Sequence, residues 1–324
     1  MIGSVTRRIA TVVALFAISL PSVSAAQALP ADQLSSLSFR HIGVVGNRVA
    51  SVAGVQGDPL TYYAGAASGG LWKTEDGWIL WEPLFDDQDV HSVGALAVST
   101  SDSKIVWAGT GEPHIRSNVT IGNGVYKSTD GGDNWAHMGL DATGRISRIV
   151  IDPTNPDIVY VASLGHAHST QQERGIYRTT DGGESWEHVL FVDPNTGASS
   201  LIMDPNNPRI LFAGMWTVTV NTWGRESGGP GSGIFMSRDG GSTWDRLEGH
   251  GLPMLPVGKI DVCMSQANSD RIYALIETGD GVPWNGQETE DGELWRSDNG
   301  GSSRTTKTKS SSSPPRCPAR TTGA

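Results

Sequence analysis

Short apolar runs rich in β-branched residues fill the chain, broken by Gly, Pro, Asn and Asp at intervals too close for helices. Helical periodicity is almost absent, so the runs predict strands and the breaks predict turns. One pattern recurs. Tyr126-Lys-Ser-Thr-Asp130-Gly131-Gly132-Asp-Asn-Trp135 returns as Tyr177-Arg-Thr-Thr-Asp181-Gly182-Gly183-Glu-Ser-Trp186 and as Phe235-Met-Ser-Arg-Asp239-Gly240-Gly241-Ser-Thr-Trp244. A looser first copy surrounds Asp76, with Gly77 followed by Trp78. The last copy, around Asn299-Gly300-Gly301, has Asn in the Asp place and Arg304 in the Trp place. Upstream of the boxes lies a second repeat: Ile149-Val-Ile-Asp152-Pro matches Leu201-Ile-Met-Asp204-Pro, each followed by Asn, Pro and a second apolar run. Leu96-Ala-Val-Ser and the run ending at Trp107 form a third version.

Each unit of some 50 to 60 residues therefore predicts four strands. A hairpin comes first, then a loop of variable length, then a third strand ending in the box, a tight box turn, and a fourth strand beginning at Trp. The box Asp can accept backbone N–H bonds within its own turn, and the glycines supply positive φ. That makes Asp76, Asp130, Asp181, Asp239 and Asn299, with Trp135, Trp186 and Trp244, structural staples rather than catalysts. Repetition of four-stranded units at this period predicts an all-β β-propeller. Five blades are recognisable over residues 38–303, the last incomplete.

The boxes resemble the Asp-box, or BNR, repeat of sialidase-like and sortilin-like propellers. Ala67-Ser-Gly-Gly-Leu-Trp-Lys73, Gly109-Thr-Gly-Glu112 and Ser227-Gly-Gly-Pro-Gly-Ser-Gly233 make the chain similar to exported bacterial sortilin-type, BNR-repeat "glycosyl hydrolase" proteins. The resemblance implies the propeller, and a closed parent of seven or more blades; it is weakly specific for activity. Sialidases of this kind carry Phe-Arg-Ile-Pro where this chain has Phe39-Arg40-His41-Ile42, so the pattern is broken. Xyloglucanase-like relatives place two catalytic aspartates on separate propellers, and sortilin-like ones bind peptides without chemistry.

Residues 1–28 predict a cleaved signal peptide. Arg7 and Arg8 precede an apolar run from Ile9 to Leu20, too short to span a bilayer, and Ala26-Gln27-Ala28 or Ser24-Ala25-Ala26 offers a cleavage site. A secreted or periplasmic protein is expected, with no membrane span in the mature chain. With 24 Lys+Arg against 34 Asp+Glu and a net charge of −10, the chain lacks the basic footprint of a nucleic-acid binder. Its two cysteines exclude a disulfide scaffold, and Cys263, on an apolar strand, is expected in the core. After Gly301 the pattern fails, and 304–324 reads as a disordered or frame-shifted tail. The expectation is a fragment, inactive as such, that needs missing blades or a partner to close the ring.

Candidate chemistry falls on the face opposite the boxes, where the long loops 109–124, 165–175, 214–233 and 278–292 lie. His114, Arg116, His166, Trp216, Trp223, Arg225 and Trp284 are the candidate ligand-binding residues, with the tryptophans suited to stacking on a sugar or holding a peptide. Glu112 with Asp86 or Asp87 is the candidate carboxylate pair of a glycosidase, set against an internal salt bridge from Glu112 to Arg116. His166 and His168 lack an evident third ligand, so no metal and no cofactor is expected. The leading expectation is a peptide- or glycan-binding module; the alternative is a glycoside hydrolase of sialidase or xyloglucanase type.

Overall fold

The computed structural model describes residues 48–116, 119–278 and 294–301, together with the backbone strand of 306–307. Residues 1–28, expected to be a signal peptide, together with Phe39 to Ile42, Trp284 and most of the tail, lie outside the described residues. Among those described are five antiparallel sheets and one short 3-10 turn at Asp141–Thr143. The first sheet is β1 (Val49–Gly54), β2 (Tyr62–Ala66), β3 (Leu71–Thr74) and β4 (Glu82–Pro83), in that order. The second is β5 (Val93–Val98), β6 (Val106–Thr110), β7 (Val125–Ser128) and β8 (Ala136–His137). β9 (Ile146–Ile151), β10 (Val159–Ser163), β11 (Gly175–Thr179) and β12 (Glu187–Leu190) make the third. In the fourth, β13 (Thr196–Asp204), β14 (Asn207–Asn221), β16 (Gly233–Ser237) and β17 (Asp245–Arg246) are joined by β15 (Gly224–Ser227), which pairs only with β14. The fifth is β18 (Ile260–Ser265), β19 (Asn268–Ile276), β20 (Leu294–Ser297) and β21 (Thr306–Lys307).

This is the propeller architecture that the repeats predict. One expectation is corrected: the fifth sheet has its outer strand, because Thr306 and Lys307 pair with Arg296 and Trp295. An outer ladder of two residues needs only backbone groups, so the loss of apolar residues there does not prevent it.

The box turns are held by local bonds. In the second blade Ser128 Oγ donates to Asp130 Oδ1 at 2.7 Å, and the same oxygen accepts from Asn134 N at 2.9 Å. Asp181 and Asp239 repeat this with Thr179 and Ser185 N, and with Ser237 and Thr243 N. Asn299 keeps the acceptor role, taking the Ser297 hydroxyl at 2.9 Å. These bonds favour the ionised carboxylate. Hydrogen bonds from the Asn134 side chain, its N–H and Ser128 hold Asp130 down to about 2; the Thr243 hydroxyl and N–H, with Ser237, do the same for Asp239. A group with a depressed folded-state pKa contributes stability that is complete above its unfolded value near 3.9 and disappears as the pH falls through the folded value. Asp130→Asn/Asp239→Asn should therefore melt below the parent at pH 6, with the gap closing between pH about 4 and about 2. A gap unchanged down to pH 2 in thermal melts would show that these carboxylates do not carry the acid dependence.

Consecutive blades are joined by a repeating device. The second-strand aromatic of one blade sits on the second box glycine of the next, whose φ is positive and whose Cβ would collide. A Cβ on Gly183 would lie 2.6 Å from Trp107, and one on Gly241 would lie 3.1 Å from Tyr160. Tyr63 and Tyr160 also donate their hydroxyls to Gly131 O and Gly240 O, both at 2.8 Å. In the first box Trp78 takes the place of this glycine and is forced to φ 83°, a left-handed conformation costly for a bulky residue. The innermost strands interlock through serines: Ser147 Oγ donates to Ala198 O and Ser199 Oγ to Ile260 O, each at 2.6 Å.

Strand alternation places Cys263 differently from expectation. Ile260 and Val262 of β18 are buried, whereas Asp261 and Cys263 point the other way, and Cys263 is an exposed free thiol. The surrounding protein, then the Asp261 charge, push that thiol up.

Candidate functional site

Glu112, on the loop after β6, is fully buried, and its Oε1 is shared by two guanidinium groups. Arg116 Nε lies 3.1 Å away, the salt bridge expected from the sequence. Arg48 pairs with the same oxygen and donates to His114 O at 3.1 Å. Glu112 Oε2 is buried with no hydrogen-bond partner. Asp86 and Asp87 are exposed on the turn after β4. A glycosidase pair must present both carboxyls to one glycosidic bond, and a carboxylate sealed from solvent and clamped by two arginines cannot do so. Glu112 is a positioning residue that holds its loop, which corrects the expected pairing with Asp86 or Asp87.

His114 keeps an exposed edge, yet the protein packed around it, followed by Lys259, Arg48 and Arg148, holds its imidazole below the usual range. Burial likewise lowers the Lys259 ammonium. This side of the ring is cationic, with Arg148 3.5 Å from Asp261. His166 has its N–H bonded to Gln171 Oε1, and His168 Nδ1 lies 3.1 Å from Val220 O. No group of three or more His, Cys, Asp or Glu among the described residues could hold a metal.

The long loop of the fourth blade is an arm, not an irregular loop. β14 runs on past the sheet to Asn221 and folds back as β15, with Val218 opposite Ser227 and Thr219 opposite Glu226. Trp216 is its buried root, 1% exposed, donating from Nε1 to Ser227 Oγ at 2.9 Å with Arg225 and Lys259 over its ring. It offers no face to a ligand, which corrects its assignment. Ser227 passes its hydroxyl to Glu277, which also takes Lys259 N at 2.8 Å and lies 3.8 Å from Arg225. Trp223, at the tip, is 86% exposed.

Beneath the arm is a cleft of about 350 Å³, lined by Asp193, Asn195, Thr217, Thr219, Glu226 and Pro230. Carboxylates, an amide and hydroxyls line it, the donor and acceptor set that recognises a polyhydroxylated ligand. Its floor is pinned by Arg174, 1% exposed, which donates to the carbonyls of Asn195, Val218, His166 and Ser169. Burial lowers that guanidinium to about 10. Sequence reading missed Asp193, Asn195, the two threonines and Arg174. The signal for the first two was an Asp-Pro-Asn turn between blades, and for Arg174 a basic residue immediately before Gly175.

Among known proteins, the family model Sortilin-Vps10 (sortilin, neurotensin receptor 3) matches residues 123–313. The xyloglucanase Xgh74A of Acetivibrio thermocellus is 27% identical over 226 residues, 60% of this chain and 25% of that protein. A xyloglucanase of Hypocrea jecorina is 24% identical over 264 residues, 73% of this chain and 29% of that one. The chain thus spans about a quarter of the length of these relatives. Among solved structures, a GH74 enzyme of Niastella koreensis superposes with a TM-score of 0.59 at 19% identity, covering 80% of this chain and 38% of that chain. An ancestral GH74 enzyme superposes at 0.55 and 17% identity, covering 77% of this chain and 30% of its own. At such identities the superpositions speak for the β-propeller fold alone.

Proposed function

We propose, from the premise that this chain belongs to the Sortilin-Vps10 family and is a relative of glycosyl hydrolases, that it is a polysaccharide-binding propeller of an exported glycoside hydrolase. Its ligand would be a β-glucan chain of the xyloglucan kind. The observation that carries this reading is the polar cleft of Asp193, Asn195, Thr217, Thr219 and Glu226 under an arm tipped by exposed Trp223. An indole face packs against the C–H face of a pyranose while carboxylates and amides take its hydroxyls; apolar contact with a few placed polar groups is the usual make-up of such sites. The relatives named xyloglucanase support the substrate class. Glu112, clamped by Arg48 and Arg116, takes no part in bond cleavage, and no other catalytic residue is assigned to this stretch. The peptide ligand of the earlier expectation gains less support, because a peptide groove has apolar side-chain pockets and this cleft is polar.

Trp223→Ala should weaken binding of xyloglucan oligosaccharides roughly tenfold or more, about one stacking contact, without changing the melting temperature of an exposed tip. Isothermal titration with the oligosaccharide checks it. Undiminished binding by Trp223→Ala and by Glu226→Gln, or no binding by the parent protein, would overturn the assignment.

A further inference from the structure

A two-stranded ribbon such as the arm is marginally stable in water by itself, so its place depends on what its two edges touch. The β14 edge is tied to the third blade and the linker after it. Val218 N donates to Asn195 O at 3.2 Å and Val220 N to Ala167 O at 2.9 Å, while Val220 O lies 3.1 Å from His168 Nδ1. The side chains of Val218 and Val220 join an apolar cluster with Leu164, Ala167 and Trp216. The other edge is β15, four residues that pair only with β14. Alternation gives this strand two faces. Glu226 lines the cleft, whereas Ser227, bonded to the Trp216 indole, and Arg225, over its ring, turn the other way.

On that other side the fifth blade meets the arm with one carboxylate. Glu277, the residue after β19, accepts the Ser227 hydroxyl, takes Lys259 N at 2.8 Å through the same Oε2, and lies 3.8 Å from Arg225 through Oε1. Its backbone is fixed on both sides: Glu277 N donates to Lys259 O at 2.9 Å, and Gly258 N donates to Glu277 O at 2.8 Å. A Cβ on Gly258 would lie 2.3 Å from Glu277 Oε2, so only a residue without a side chain leaves the carboxylate this place. We infer that Glu277 is a positioning residue of the cleft, a strap from the fifth blade that fixes β15 and thereby holds the Glu226 carboxylate toward the ligand. The inference rests on the reading of the cleft as a polysaccharide site. A hydrogen bond to a sugar hydroxyl needs its acceptor within about 3 Å, and an edge strand without its anchor does not keep Glu226 at one distance.

Glu277→Ala and Ser227→Ala remove the strap from either end. Hydrogen–deuterium exchange of the full chain should show the amides of 224–228 losing protection about tenfold or more in both variants, with those of β9 to β11 unchanged. Isothermal titration should show xyloglucan oligosaccharides bound roughly tenfold more weakly. Glu277→Gln, whose amide oxygen still accepts from Ser227 and from Lys259 N, should restore both readouts to within a few-fold of the parent. Where Glu277→Ala does not fold, Ser227→Ala decides. Parental exchange over 224–228 in the variants, or faster exchange with undiminished binding, would overturn the inference. A parent chain that binds no oligosaccharide, beside variants that lose protection at 224–228, would overturn the polysaccharide reading and support the strap.

Discussion

Trp107→Ala is expected to cost about 3–5 kcal/mol of unfolding free energy, the usual loss for a large aromatic removed from a core. Trp107 is fully buried in the core between the second and third blades. Its ring meets Trp186 edge-on with centroids 5.9 Å apart, Lys127 Nζ lies 5.3 Å from its centre, and Gly183 presses against its rim. Removal leaves Trp186 without its aromatic partner and opens a void that a rigid pair of sheets closes only partly. Trp107→Phe should cost far less, because the indole Nε1 has no hydrogen-bond partner to lose. Chemical denaturation followed by circular dichroism measures both. A cost under about 1 kcal/mol for Trp107→Ala would mean that consecutive blades do not share one core.

Glu112→Gln is the second large effect, and its meaning is functional. The substitution keeps shape and removes charge, leaving Arg48 and Arg116 without their shared anion. Breaking a buried ion pair costs about 3–5 kcal/mol, but the two arginine side chains are 35% and 30% exposed, so water offsets part of it. A loss of about 1–3 kcal/mol is expected, read as a lower denaturation midpoint. Binding of xyloglucan oligosaccharides, the ligand proposed above, should weaken only a few-fold at temperatures where the variant is folded. Glycoside hydrolysis by the parent chain that Glu112→Gln lowers about a thousandfold or more with the fold intact would return Glu112 to the chemistry.

Blade architecture was legible because its determinants are local and repeated. Ser128, Asp130 and Asn134 bond to one another within a single turn, and the same bonds recur at Thr179-Asp181-Ser185 and Ser237-Asp239-Thr243. A pattern that folds within ten residues can be read within ten residues. The Glu112–Arg116 bridge was legible for the same reason, its partners being four positions apart. Arg48, which converts that bridge into a clamp, reaches Glu112 from the edge of the first blade, and nothing near Glu112 in the chain announces it.

The site divides along the same line. Two tryptophans on one loop, Trp216 and Trp223, read alike in sequence, yet one is the buried root of an arm and the other its exposed tip. Alternation along β14, the Ser227–Glu277 contact and the nearness of Lys259 decide between them. Likewise Asp193 and Glu226 line one cleft only because the arm folds back over the linker between the third and fourth blades. By itself the sequence determined the number of recognisable blades, the box turns and the face on which loops are long, since each follows from periodicity and hydrogen bonds over a few residues. Tertiary structure alone decided which loop side chains are sealed and which are offered to a ligand, because burial is set by neighbours that arrive from other blades.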